Sequence, residues 1–155
     1  MFIKKHITAL GFVPKNGTNG IYHKIYVDYA IEIDFETQSI NYGSAITAES
    51  KTTQNFSQPE NFVVLECVDR LLTKGYKPQN IVLEKTWPSG HGTSGRLDIC
   101  VNREDGTPYM LIECKTFGKE YNKELARIRK DGGQLFTYFQ LSGGKADVLM
   151  LYATK

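Results

Sequence analysis

Residues 96–115 constrain what this chain can fold into more than any other stretch. Two apolar runs, Leu97-Asp98-Ile99-Cys100-Val101 and Met110-Leu111-Ile112-Glu113-Cys114-Lys115, flank an Asp105-Gly106 turn. That pattern predicts paired strands over 96–102 and 109–115. Side chains alternate across a strand, so Leu111, Glu113 and Lys115 share one face. On the preceding strand Leu97, Ile99 and Val101 are expected to face away from Asp98. Pairing through the turn can then set Asp98 beside Glu113. Acidic-x-Lys by itself is weak, since about one arises by chance in a chain this long. Glu49-Ser50-Lys51 also matches, but it lies in a polar stretch, whereas Glu113 and Lys115 end an apolar strand.

Two ionised carboxylates about 4 Å apart repel by roughly 4 kcal/mol at an effective dielectric of about 20. A divalent cation relieves that repulsion, and Lys115 relieves part of it. Two carboxylates, the Cys114 carbonyl and water make a hard-oxygen set suited to Mg²⁺, with Mn²⁺ as a substitute. Such an ion stabilises a phosphoryl transition state and helps generate hydroxide. Lys115, a mobile point charge, would orient or deprotonate the attacking water. The plainer alternative makes the three residues edge-strand surface groups joined by a salt bridge.

Around this hairpin the chain reads as an α/β or α+β sandwich. The first fifteen residues predict a short helix ending near Gly11, followed by a turn at 17–20. Residues 21–42 alternate, with Tyr29, Ile31, Ile33 and Phe35 on one face and Glu32 and Asp34 on the other, which predicts an antiparallel meander. Residues 43–58 are polar, lack periodicity and read as a connecting loop. A helix opens at Pro59 or Glu60 and runs to about Lys74, with Phe62, Leu65, Val68 and Leu72 as its apolar stripe. Strand 80–86 and a glycine-bearing loop, 88–95, precede the hairpin. His91 in that loop reads as exposed, and Trp87 beside it as packing. A helix over 119–130 follows, with Tyr121, Leu125 and Ile128 inward. Asp131 caps a further helix, and strand 146–154 ends the chain.

Lys119, Lys123, Arg127 and Lys130 recur at helical spacing four residues beyond Lys115. Alone they are a solvated face. Beside a metal site they become a phosphate track for double-stranded DNA.

The runs Arg96-Leu97-Asp98 and Glu113-Cys114-Lys115 resemble the core of PD-(D/E)XK nucleases, with Leu97 in place of the leading proline. Gln134 and Tyr138 match the QxxxY motif of RecB-like enzymes and of the N-terminal nuclease domain of type I restriction enzyme R subunits. The resemblance covers about 60–154 and leaves the meander unexplained. It implies a restriction-endonuclease-like core, a central mixed sheet flanked by helices. It implies Asp98 and Glu113 as metal ligands, Lys115 as the catalytic lysine, and Gln134 and Tyr138 as helpers. It also points to Glu66, on the preceding helix, as a further acidic ligand, the alternative being a solvated carboxylate. For Gln134 a capping box begun by Asp131 is the competing reading, and for Tyr138 it is amphipathic packing.

The whole chain, 1–155, is expected to be one nuclease domain: a helix and meander over 1–58, then the core over 59–155. It has no G-x-x-x-x-G-K-[ST] loop, so ATP would enter only through a motor domain elsewhere. The domain is therefore expected to be part of a longer polypeptide or complex, alongside helicase/translocase and methyltransferase or specificity modules. A net charge of +2 does not by itself announce a nucleic-acid binder. No apolar run approaches the roughly 20 residues of a membrane span, and the N-terminus lacks a signal peptide's apolar core. The expected location is the cytoplasm. Cys67, Cys100 and Cys114 are widely spaced in apolar runs, as reduced core thiols are. Two competing functions remain: a non-catalytic DNA-binding or subunit-docking module that keeps the fold, and hydrolysis of a small phosphate ester.

Overall fold

A computed structural model describes residues 2–88 and 95–155. The expectations for the glycine loop and His91 fall mostly on 89–94 and lie outside the described residues.

The fold is mixed α+β, with two sheets and four helices among the described residues. Helix α1 (Phe2–Ala9) ends just before Gly11, whose φ of +92° turns the chain. Strands β1 (Val13–Pro14), β2 (Ile21–Ile25), β3 (Ala30–Asp34) and β4 (Ser39–Asn41) form the antiparallel meander in sequence order. Ile31 and Ile33 point inward from β3 and are fully buried, as their period-two spacing predicts. The loop expected over 43–58 contains a short strand, β5 (Thr47–Ala48), lying parallel to the next sheet strand. Asn55 also bridges back to Ser39. Polar groups order this stretch: Glu49 Oε2 accepts the Thr86 N–H at 2.6 Å, and Asn61 Nδ2 donates to the Thr52 carbonyl at 3.0 Å. Apolar periodicity could not register such a segment.

Helix α2 (Glu60–Thr73) buries Val63, Val64, Leu65, Cys67, Val68, Leu71 and Leu72, a broader face than the predicted stripe. Each large apolar side chain so buried is worth about 1.5–3 kcal/mol. At its end the Gly75 N–H reaches Leu72 O and the Tyr76 N–H reaches Leu71 O, a Schellman stop that needs the positive φ of Gly75.

The five-stranded sheet has the order β5, β6 (Ile81–Lys85), β7 (Leu97–Asn102), β8 (Pro108–Thr116), β9 (Val148–Thr154). β6, β7 and β8 are antiparallel neighbours, while β9 lies parallel to β8 after helices α3 (Lys119–Asp131) and α4 (Gly133–Leu141). One sheet face, with Ile81, Leu83, Ile99, Val101, Ile112 and Cys114, packs in a single core with α1, the meander and α2. Leu97, Cys100 and Leu111 pack instead with Leu135 and Tyr138 of α4.

Leu97 therefore departs from the strict alternation expected of it. The β6–β7 ladder passes from Leu83 opposite Ile99 directly to Lys85 opposite Leu97, and Glu84 between them has a φ of +53°. The register is unbroken across Glu84, and Leu97, at the start of β7, packs under α4. Helix α3 also differs from its predicted stripe. Tyr121, Leu125 and Ile128 are only half-buried, and the one fully buried side chain of α3 is Glu124, 2% exposed.

Candidate active site

At one end of the five-stranded sheet, the strand ends of β6–β8, the start of α2, and residues of α3 and α4 enclose a cleft of about 600 Å³. Asp98, Glu113 and Lys115 all line it, together with Gln134 and Tyr138. The last β7–β8 ladder pair at this end is Ile99 opposite Ile112, so one further step sets Asp98 against Glu113. The Cys114 N–H donates to Asp98 Oδ2 at 2.7 Å. Lys115 Nζ donates to Glu113 Oε1 at 2.7 Å, and Glu60 Oε1 lies 3.6 Å from the same ammonium. Glu113 is 3% exposed, and its Oε2 is buried without a hydrogen-bond partner among the described residues.

The electrostatics follow from that crowding. Burial, then the charge of Glu113, pushes the Asp98 carboxyl well above its ordinary range. Burial also raises Glu113, against the opposing pull of Lys115. For Lys115 burial alone would favour the neutral amine, but Glu113, Asp98 and Glu60 outweigh it and hold the ammonium form. Burial, followed by the charges of Glu113 and Asp98, pushes the Tyr138 phenol up to about 12.

Among the described residues no three His, Cys, Asp or Glu side chains already converge as a cation site. The donor chemistry nonetheless fits a hard divalent ion. Two carboxylates stand side by side, and one buried carboxylate oxygen has no hydrogen-bond partner among the described residues. Such an oxygen is uncommon in a folded protein and invites a ligand.

Glu66 is not at this site. Its carboxylate receives Arg70 Nη2 at 2.9 Å and the Tyr152 hydroxyl at 2.8 Å, and His6 Nε2 lies 3.8 Å away. Burial alone would raise its pKa, but hydrogen bonds from Thr154, Tyr152 and Arg70 prevail and lower it. It is neither the cleft ligand that the resemblance implies nor a solvated carboxylate, since it is 3% exposed. Six residues along a helix turn a side chain about 120° away from the starting face. The α2 carboxylate at the cleft is accordingly Glu60. Its signal in the sequence is its place in the first turn, just after Pro59.

On α4 the Gln134 side chain lines the cleft. Asp131 Oδ1 accepts the Gly133 N–H at 3.0 Å, while buried Glu124 takes the Gln134 N–H at 3.4 Å. The helix start is thus held by Asp131 and Glu124, and Gln134 faces the cleft instead of reaching back. The Tyr138 ring packs on Trp87 with centroids 5.9 Å apart. A Cβ on Gly95 would come within 2.5 Å of Tyr138 Oη, so any larger residue there would have to displace the phenol.

Lys119, Lys123, Arg127 and Lys130 are exposed on α3, as their spacing predicts, and none lines the cleft; Glu120 is the α3 residue that does. Sequence reasoning missed several wall residues besides Glu60 and Glu120, among them Thr52, Thr53 and Glu84. Glu49, the decoy acidic-x-Lys position, is spent on Lys85 and Thr86 at the end of β6.

Fold and cleft together define an α+β domain with an acidic, lysine-bearing cleft at one end of its mixed sheet. The family model described as type I restriction enzyme R protein N terminus (HSDR_N) matches residues 59–142, more than half of the chain. The chain belongs to that family and is a restriction-related protein. No curated protein matches it.

Proposed function

We propose that this domain is a Mg²⁺-dependent DNA endonuclease of the PD-(D/E)XK type, working within a type I-like restriction system. The observation that carries the reading is the side-by-side placement of Asp98 and Glu113, with Glu113 Oε2 buried and unpartnered among the described residues. Asp98, Glu113 and the Cys114 carbonyl would hold the ion, and Glu60, 3.6 Å from the Lys115 ammonium, adds a further carboxylate to the cleft. A bound divalent ion supplies charge neutralisation at a phosphate and a water of lowered pKa. Lys115, kept as an ammonium, donates to the attacking water or to a phosphate oxygen. Gln134 and Tyr138 fix the far wall against which the sugar-phosphate chain rests.

Lys119, Lys123, Arg127 and Lys130 would position duplex DNA through its phosphates without reading bases. Membership of a type I restriction family supports a multi-subunit restriction complex; the proposed partners in it are a translocase that uses ATP and methyltransferase or specificity modules. No helix among the described residues is long and apolar enough to cross a membrane, and the proposed place of action is the cytoplasm.

The test is nicking of plasmid DNA with Mg²⁺ or Mn²⁺. Wild type should cut, and Asp98→Ala and Lys115→Ala should not. Robust cutting by both variants in folded form would remove these residues from the active centre.

A further inference from the structure

Glu84 lies within β6, yet its φ of +53° places it in the left-handed region that side chains with a Cβ avoid. The only other non-glycine there among the described residues is Gln38, which sits in a turn. Its neighbours Leu83 and Lys85 both keep ladder partners, so pairing of the strand does not demand the distortion. The distortion serves the side chain. The Glu84 carboxylate is 4% exposed and accepts both the Thr52 N–H, at 3.1 Å, and the Thr52 hydroxyl. Thr52, buried Thr53 and Glu84 all line the cleft that contains Asp98 and Glu113. Strained backbone persists where the surroundings over-determine it, and it gathers at working sites.

We propose that Glu84 is a positioning residue of the cleft. Its carboxylate reaches across to Thr52 and locks segment 52–53 as a fixed wall. That wall sets where a bound phosphodiester lies relative to Asp98 and Glu113. The inference rests on the nuclease reading above, and it assigns Glu84 a role of reach and geometry, not of charge at the reacting phosphate.

Three substitutions in the 155-residue chain separate these roles. Glu84→Gln keeps the reach and an oxygen to accept the Thr52 N–H, but removes the charge. Glu84→Asp keeps the charge and tolerates left-handed backbone, but is one methylene short. Glu84→Gly frees the backbone and removes the side chain. With Mn²⁺ and plasmid DNA, kcat should fall only about threefold in Glu84→Gln but roughly 30-fold in Glu84→Asp and Glu84→Gly, with KM little changed, as misplacement without lost binding predicts. Amide exchange should show lost protection at Thr52 in the Asp and Gly variants and retained protection in the Gln variant. Thr52→Val, which removes only the hydroxyl bond, should lower kcat in the same sense and carries the test if a Glu84 variant fails to fold.

Retained cutting in Glu84→Asp together with loss in Glu84→Gln would overturn the proposal in favour of a charge role. Full cutting by Glu84→Gly despite an unprotected Thr52 amide would also overturn it. Either result leaves the nuclease reading standing, because wild type still cuts. A wild type that cuts nothing removes both.

Discussion

The backbone N–H of Cys114 donates to the side chain of Asp98 at 2.7 Å, just beyond the last rung of the β7–β8 ladder. A main-chain donor on one strand therefore aims a carboxylate on its neighbour toward Glu113. Like charges are brought together by geometry that the sheet supplies. What that proximity does to stability and to chemistry can be measured.

Asp98→Asn should stabilise the metal-free protein while abolishing cleavage. The amide oxygen can still accept the Cys114 N–H, and a buried carboxyl that resists ionising beside Glu113 gives way to a group that is neutral in both folded and unfolded chains. A gain of about 1 kcal/mol is expected, roughly 3 °C in Tm for a domain of this size. Thermal melts in EDTA, set beside nicking assays, check both halves.

Metal-free stability should fall as pH rises from about 4. In the folded state Asp98 and Glu113 have raised pKa values, so they hold protons that the unfolded chain has already released. Folded protein then binds more protons than unfolded, and unfolding free energy declines with pH through that window. Mn²⁺ or Mg²⁺ should accordingly raise Tm more at pH 8 than at pH 5. Equal shifts at both values would argue against an ion held by these carboxylates.

Gly95→Ala should push the Tyr138 ring off Trp87, since the new Cβ would meet the phenol oxygen at 2.5 Å. A loss of about 1–3 kcal/mol is expected from overpacking, together with slower cutting. Adding Tyr138→Phe removes the clashing oxygen, and denaturant melts of the double variant should recover most of the stability.

Glu60 and Glu66 should separate cleanly, although both sit on α2. Glu66→Ala leaves the part-buried Tyr152 hydroxyl without its acceptor and releases the exposed Arg70, so stability should drop by about 1 kcal/mol with cutting per folded molecule unchanged. Glu60→Gln should leave the melt nearly unchanged and weaken Mn²⁺ affinity, measured by titration calorimetry.

Replacing Lys119, Lys123, Arg127 and Lys130 by Gln should lower duplex affinity and flatten its salt dependence. Each phosphate contact adds about 0.9 to the log–log slope, so up to about 3.6 would vanish. All four are exposed, and far-ultraviolet circular dichroism should stay unchanged.

The hairpin was legible because its signals are local. Apolar runs either side of Asp105-Gly106 specify β7 and β8, and period two then places Glu113 and Lys115 together. Helix α2 was legible for the same reason, its apolar face bounded by Pro59 and Gly75. Glu66 was misplaced because an acidic residue on the right helix reveals nothing of which partner faces it. Arg70 is its i,i+4 neighbour on the same helix, but only the packing of α1 and β9 against α2 showed that His6, Tyr152 and Thr154 also surround it.

From the order of its residues alone, this chain determined its longer strands, its main helices and the pairing that brings Asp98 to Glu113, because hydrophobic period and turn chemistry act over a few neighbours. Tertiary structure alone decided that Glu60 faces the cleft, that Glu84 bends β6 to grip Thr52, and that a polar segment becomes a wall. Those outcomes depend on side chains far apart in sequence, such as Thr52 and Glu84, whose meeting no local pattern encodes.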